Sequence, residues 1–193
     1  MEFSELMRPP DTLYSIREVA DRLGMSKMSA ALLVVSGVGG PCFHRHDRRD
    51  IESVLTPSAT LEKLANTPWL TEHPEALVVR VRPARRDPND AERSHMGWLP
   101  GASWEDHEAA VGRWWRIKDP DQWHGKTLVA AVVGYVAHVA TITDHETTPG
   151  GAVAFQLTPP EDRTLAAFEG RRMTITQGGV TLHLPASPDW NAA

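Results

Sequence analysis

The first predicted element is a short amphipathic helix near the start of the chain. Apolar side chains recur at helical spacing from Ile16 to Leu23. Ser15 stands three residues before Glu18, which is the spacing of a capping box, and Gly24 follows the last apolar position. The pattern therefore predicts a two-turn helix with a signal for its start and another for its end.

A second helix follows after a very short connection. Ser26 is a suitable N-cap, apolar side chains then recur at helical spacing from Met28 to Val35, and Gly37 ends the pattern. Two short helices joined by a glycine-containing turn are typical of a helix-turn-helix. After a turn over residues 37–41, the pattern predicts an extended piece at 42–44, a third helix at 48–55 capped by Asp47, and a fourth helix at 58–66.

The strings YSIREVADRLGMSK and FHRHDRRDIESVL, with a glycine turn between them, resemble the small winged helix-turn-helix modules of excisionases and MerR-type regulators. The resemblance covers about residues 12–56. In that family the second helix enters the DNA major groove and the following wing contacts phosphates. The resemblance implies double-stranded DNA as the partner. By position, the implied contacts are Ser26, Lys27 and Ser29 on the second helix, and His44, Arg45, Arg48 and Arg49 on the wing.

A second interpretation of the same segment stays open. The second helix continues as an apolar run from Ala30 to Val35, so Lys27 is its one cation. A helix that is apolar all round is typically buried. The segment would then be a packing or dimerisation unit, with the apolar helix 26–36, including Leu33 and Val34, as the interface of a homodimer.

The remaining two thirds of the chain predict a mostly β domain. A proline-bearing joint near residues 67–75 precedes a β-branched strand at 76–82, and a long polar loop covers 83–103. Ser103 is a suitable cap for a short helix that ends at Val111. Short strands are then predicted at 113–117, 127–133, 135–143, 152–157, 172–176 and 180–184, with Gly134 as one turn and residues 177–179 as a hairpin between the last two strands. Six such strands indicate a barrel or sandwich.

The segments GRWWRI, TLVAAVVGYVAHVATIT, GGAVAFQL and FEGRRM are similar to PUA-like and EVE-like barrel domains over roughly residues 76–184. Several members of that superfamily hold a modified or flipped base between aromatic side chains, because an extruded base needs ring faces for stacking. The resemblance implies an aromatic pocket that binds a modified base. The candidates are Trp98, Trp104, Trp114, Trp115 and Trp123.

Plain core packing is the alternative for these tryptophans. Neighbouring side chains on a strand point to opposite faces, so we expect one of Trp114 and Trp115 to lie outside the core.

Composition limits the function classes. The net charge is −5, and residues 1–66 and 67–193 are each net negative, so contact with nucleic acid must rest on local basic patches. The single cysteine excludes an internal disulfide, no apolar run is long enough for a membrane span, and no secretory signal is visible. We therefore expect a cytoplasmic protein.

Motifs for catalysis are missing from the sequence. It has no HExxH, GxSxG, GxGxxG or P-loop pattern, so we predict neither a metal site nor a cofactor, and no enzymatic activity. A component of a DNA modification or restriction system is a further alternative, which would use the carboxylates of Asp87, Asp90, Glu92 and residues 105–108.

Together these patterns predict an α+β chain with two domains. Residues 1–66 form a winged helix-turn-helix DNA-binding domain, and residues 67–193 form a barrel-like β domain for sensing, nucleic-acid reading or oligomerisation. The predicted function is that of a bacterial or phage DNA-binding protein, either a transcriptional regulator or an excisionase-like factor. A protein interaction or assembly factor is the alternative.

Overall fold

The structure, a computed structural model, describes residues 12–44, 53–88, 90, 93–174 and 179–190. The chain divides into two compact units, unit 1 (Met1–Thr67) and unit 2 (Pro68–Ala193). The described residues form five α-helices and two β-sheets, a mixed α+β architecture. Within these residues, no helix combines the length and the apolar character needed to cross a bilayer.

Unit 1 combines three helices with a small antiparallel sheet. Its elements are β1 (Leu13–Ser15), α1 (Ile16–Leu23), α2 (Lys27–Ser36), β2 (Phe43–His44), β3 (Val54–Pro57) and α3 (Ser58–Asn66). The strand order is β1-β3-β2, so the last strand in sequence is the central one.

The cap signals of α1 work as the sequence predicts. The Ser15 hydroxyl accepts from the Glu18 backbone N–H, and the Ser15 backbone N–H donates to Glu18 Oε2 at 2.7 Å. At the other end Gly24 takes the left-handed conformation, and its N–H donates to the Ala20 carbonyl. The hydrogen bonds to Ser15 lower the pKa of the Glu18 carboxyl, which keeps the cap charged. The caps thus fix where α1 begins, and its first residue, Ile16, lies in the core of unit 1.

Helix α2 has a buried face and an exposed one. Leu33 and Val34 are buried in the core of unit 1. Met28 is 61% exposed and Val35 is 39% exposed. The interpretation that put Leu33 and Val34 in a homodimer interface is therefore wrong for these two side chains, because their contacts are made inside the unit.

The third predicted helix, at 48–55, is wrong at its end. Val54 and Leu55 lie in β3, where Val54 pairs with His44 and Leu55 pairs with both Phe43 and Ser15. A strand between two partners satisfies its backbone groups on both sides, and it buries Val54 completely. Residues 45–52 lie outside the described part of the chain. The fourth predicted helix is confirmed as α3.

Unit 2 is built on one five-stranded sheet. Its elements are β4 (Ala76–Arg80), α4 (Trp104–Gly112), a 3-10 helix (Pro120–Trp123), β5 (Thr127–Val132), β6 (Tyr135–Thr147), β7 (Val153–Thr158), α5 (Asp162–Phe168) and β8 (Thr181–Leu184). The strand order is β7-β6-β5-β4-β8, with β4 and β5 parallel and the other pairs antiparallel.

The described sheet is open and does not close into the expected barrel. Its outer strands are β7 and β8, and closure would need these two to pair. After β7 the chain forms α5, a helix that the sequence pattern did not predict, and β8 then joins the sheet beside β4. Phe168 at the end of α5 is fully buried against the sheet core, so the helix covers one face of the sheet.

Two of the predicted strands are wrong. In the segment 113–117 only Trp115 forms a bridge, to Val153, and in the described part of 172–176 only Arg172 does, to Trp69 and Tyr135. The predicted hairpin at 177–179 is not supported, since the described partner of β8 is β4; residues 175–178 lie outside the described part of the chain. The predicted helix after Ser103 is confirmed as α4, and its cap bond runs from Asp106 N–H to Ser103 Oγ at 3.1 Å.

Candidate nucleic-acid interface and an arginine-lined pocket

The start of α2 is exposed in unit 1. Ser26 caps the helix by accepting from the Ser29 backbone N–H at 3.1 Å, and the two hydroxyls lie 2.9 Å apart. Ser26 and Ser29, the two serines predicted to contact DNA, thus both take part in the helix cap. Lys27 is exposed beside them, and the first turn carries no acidic residue. A helix N-terminus with a cation and no carboxylate attracts phosphate.

The strands β2 and β3 position the other predicted DNA contacts. His44 is exposed on β2, and its Nδ1 lies 3.5 Å from Ser53 Oγ. Arg45, Arg48 and Arg49 belong to the connection between the two strands and lie outside the described residues.

The five tryptophans that were candidates for the aromatic pocket fall into three separate groups in unit 2. Trp98 stacks on His107, with 4.3 Å between ring centroids, and Trp104 lies 4.8 Å from His138. Trp114 and Trp115 line another pocket, and Trp123 is buried, with Lys126 Nζ at 5.4 Å from its ring. The structure therefore does not bring the five rings into one aromatic pocket.

Comparisons with protein-family models, with curated proteins and with solved structures find no match to this chain.

The pocket that holds Trp114 and Trp115 has a volume of about 600 Å³. We call it the arginine pocket, because five of the ten arginines in unit 2 line it and Asp87 is its one lining carboxylate among the described residues. The side chains and backbone that line it come from Arg80, Val81, Arg82, Pro83, Arg85, Asp87, Arg93, Met96, Gly97, Ala110, Arg113, Trp114, Trp115 and Val180.

Trp114 and Trp115 share this pocket because the chain there is not a strand. Opposite faces are expected for two neighbouring rings only in an extended strand. The indole N–H of Trp114 donates to Asp90 Oδ2 at 3.1 Å, and that of Trp115 donates to the Val111 carbonyl at 2.7 Å. Since the protein uses both N–H groups, the indoles have only ring surface left for a ligand.

Buried ion pairs hold part of the arginine pocket together. Arg93 and Asp87 are both buried and form a two-pronged pair, in which Nε and Nη2 of Arg93 donate to Asp87 Oδ2. Arg93 also donates to the Arg113 carbonyl at 3.1 Å, and Arg113 Nη1 lies 3.6 Å from Asp90 Oδ2. The carboxylate charges at the pocket are thus already matched by arginine.

Arg82 and Arg85 come from a wall that two segments form side by side. Backbone hydrogen bonds of 2.8–3.0 Å join residues 82–85 to residues 96–98. Gly97 has a φ of +89°, and a Cβ added there would overlap the Arg82 carbonyl oxygen. Arg85 is oriented by its Nε, which lies 3.0 Å from Met96 Sδ. A residue with a side chain at position 97 would push the two segments apart.

A second recess of about 450 Å³ contains Trp104, His107 and His138. His107 Nε2 donates to the Leu99 carbonyl at 2.8 Å. His138 Nε2 is buried and has no hydrogen-bond partner among the described residues. Burial lowers the pKa of His138 to about 4, and the nearby His107 adds to this effect. Nowhere in the described part of the chain do three or more His, Cys, Asp or Glu side chains group as metal ligands would.

The arginines of the pocket were not among the predicted site residues, although the sequence contains one signal for them. Arg80, Arg82, Arg85 and Arg86 fall within seven residues, a dense basic run in a chain with a negative net charge. No pattern in the sequence indicates that Arg93 and Arg113 join them, because the ion pairs and packing that bring these side chains to the pocket are tertiary contacts.

Proposed function

We propose that this chain is a double-stranded DNA-binding protein, a transcriptional regulator or an excisionase-like factor, which contacts the duplex through unit 1. The observation that carries the proposal is the exposed start of α2, where Lys27 directly follows the N-cap Ser26 and the first turn contains no acidic side chain. In this proposal α1 and α2 form the helix-turn-helix pair, and β2, β3 and their connection form the wing.

Phosphate contacts provide most of the affinity in this proposal. Lys27 and the first N–H groups of α2 bind phosphate on one side of the groove, and Arg45, Arg48 and Arg49 bind it from the wing. The other exposed side chains of α2 include Met28 and Val35, which are apolar. Apolar side chains contact the thymine methyl group but form no hydrogen bonds to base edges. The proposal therefore includes only weak sequence preference.

The test is fluorescence anisotropy of the full chain with labelled duplexes of mixed sequence. Lys27→Ala removes one phosphate contact and should weaken binding roughly fivefold, about 1 kcal/mol. The triple replacement of Arg45, Arg48 and Arg49 by alanine should weaken binding further. Lys63→Ala is the matched control, because Lys63 is an exposed lysine of the same unit on α3, and it should leave affinity unchanged.

Two results would contradict the proposal. One is the absence of duplex binding at low salt, and the other is an equal effect of Lys27→Ala and Lys63→Ala, which would indicate non-specific attraction. A methylated duplex in the same series tests whether unit 2 binds a modified base. If it does, the methylated duplex should bind more tightly than the plain duplex.

A further inference from the structure

We infer that the arginine pocket of unit 2 binds a small phosphorylated ligand with a planar ring, of the size of a nucleoside monophosphate. This site is separate from the duplex contact proposed for unit 1. The inference rests on the charge of the pocket, on the ring surface in it and on its volume.

The described residues that line the pocket carry more arginine than carboxylate, which favours an anionic ligand. Asp87 is already paired with the buried Arg93, and Asp90 is already in contact with Arg113 and Trp114. Arg82 and Arg85 are exposed on the wall of the pocket, and neither forms an ion pair with a carboxylate in the described residues. Arginine groups in excess of carboxylates bind an oxyanion from outside, and several guanidinium groups match a phosphate better than the single charge of a carboxylate.

The two tryptophans add a requirement for a ring. Their N–H groups are bonded to Asp90 and to the Val111 carbonyl, so the indoles offer π and apolar surface to the pocket. Such surface binds a planar ring by stacking, whereas free phosphate has no group that would use it.

The volume supports the same ligand class. About 600 Å³ lies within the range of small-molecule sites, roughly 300–1,000 Å³, and exceeds what a phosphate ion fills. A concave pocket of this size admits one ring with its phosphate. It does not match the convex backbone of a duplex, which argues for a small ligand.

Calorimetry of the full chain tests the inference with ligands that separate its parts. The probes are the four common nucleoside 5′-monophosphates, the same nucleosides without phosphate, and ribose 5-phosphate, which lacks the ring. At least one monophosphate should bind, and its nucleoside and ribose 5-phosphate should each bind at least about tenfold more weakly. Quenching of tryptophan fluorescence by the nucleotide, and not by ribose 5-phosphate, would support stacking.

Alanine variants of the pocket arginines test whether the nucleotide binds in this pocket. Arg82→Ala and Arg85→Ala should each weaken nucleotide binding at least about fivefold, because each removes a charged donor. Both side chains are exposed, so folding should persist, which circular dichroism would verify. Arg86→Ala is the matched control: Arg86 is an exposed arginine adjacent in sequence that does not line the pocket, and its loss should change affinity little.

Several results would overturn the inference. They are the absence of binding of all four monophosphates at millimolar concentration, equal affinity for ribose 5-phosphate and the nucleotides, and equal effects of Arg82→Ala and Arg86→Ala. A single-stranded oligonucleotide is tested as well, because it carries the same phosphate and planar base as a free nucleotide. Binding of the oligonucleotide with no binding of free nucleotide would overturn the small-ligand assignment.

Discussion

At the scale of single residues, His138 combines a partly buried ring with a buried Nε2 atom that has no hydrogen-bond partner among the described residues. It lies on β6 with its ring 4.8 Å from Trp104 and 5.2 Å from His107. Asp162 and Glu169 are the carboxylates that line the same recess. Burial lowers the pKa of the imidazole from its ordinary value of 6.5 to about 4, so His138 is neutral at pH 7.

The folded protein should therefore lose stability as the pH falls from about 6.5 to about 4. In this window the unfolded chain binds a proton at His138 and the folded chain does not, so protonation favours unfolding. The shift corresponds to about 3 kcal/mol at pH 4. Chemical denaturation at a series of pH values would measure it as the difference between the wild type and His138→Gln.

Other carboxylates and histidines also titrate in this range, so a matched variant is needed. His124→Gln replaces an exposed histidine of the same unit and should follow the wild-type pH profile. If His138→Gln also follows that profile, the buried and neutral state assigned to His138 is wrong.

At the scale of elements, the wall of the arginine pocket depends on the close pairing of residues 82–85 with residues 96–98. Gly97 permits this pairing in two ways, through its positive φ and through its missing Cβ. The neighbouring loop contains Gly101, which has a similar φ of +75° but no described atom within 4 Å of an added Cβ.

These two glycines form a matched pair for mutation to alanine. Gly101→Ala should destabilise the protein by about 1 kcal/mol, the cost of a left-handed conformation. Gly97→Ala carries the same cost and in addition forces the wall apart, for roughly 2 kcal/mol more. Thermal and denaturant unfolding would measure both. Equal losses in the two variants would show that the contact with the Arg82 carbonyl does not matter.

The elements that the sequence predicts well are those with local signals. Helices α1 and α2 and α4 begin at serines whose hydroxyls accept from a backbone N–H three residues later, so the interaction that starts each helix is visible within four residues of sequence. The segment 113–117 was predicted wrongly as a strand, because its apolar and aromatic composition favours extended structure while its partners lie far away in the sequence.

At the scale of the whole molecule, charge is distributed unevenly. The chain has a net charge of −5, yet five arginines line one pocket of unit 2, and the segment 45–49 of unit 1 contains three more. Local basic surfaces on an acidic chain bind anions at short range and depend strongly on ionic strength.

Duplex binding should accordingly weaken steeply with salt. If Lys27, Arg45, Arg48 and Arg49 each neutralise one phosphate, doubling the salt concentration should weaken binding about tenfold. A titration of the wild type at several salt concentrations measures the slope of log affinity against log salt concentration. Lys27→Ala should make this slope shallower by about 0.9, the contribution of one phosphate contact. An affinity that does not change with salt would exclude phosphate contacts as its source.

The candidate sites were predictable only in part, and the difference follows from the range of the interactions. The start of α2 at Ser26 and Lys27 was predictable because its cap is encoded locally, whereas the DNA contacts that the resemblance implies there stay a prediction. The arginine pocket was not predictable, because it combines residues from Arg80 to Trp115 with Val180 and depends on ion pairs between side chains that no local pattern connects.

The sequence by itself determined the capped helices α1, α2 and α4 and the net charge of the chain. These depend on residue types and on spacings of three or four residues. The tertiary structure alone decided that β8 joins the sheet beside β4, that Leu33 and Val34 are core, and that Arg93 meets Asp87 inside a pocket. These features arise from pairings between distant segments, which are selected by the packing of the whole unit and not by any local pattern.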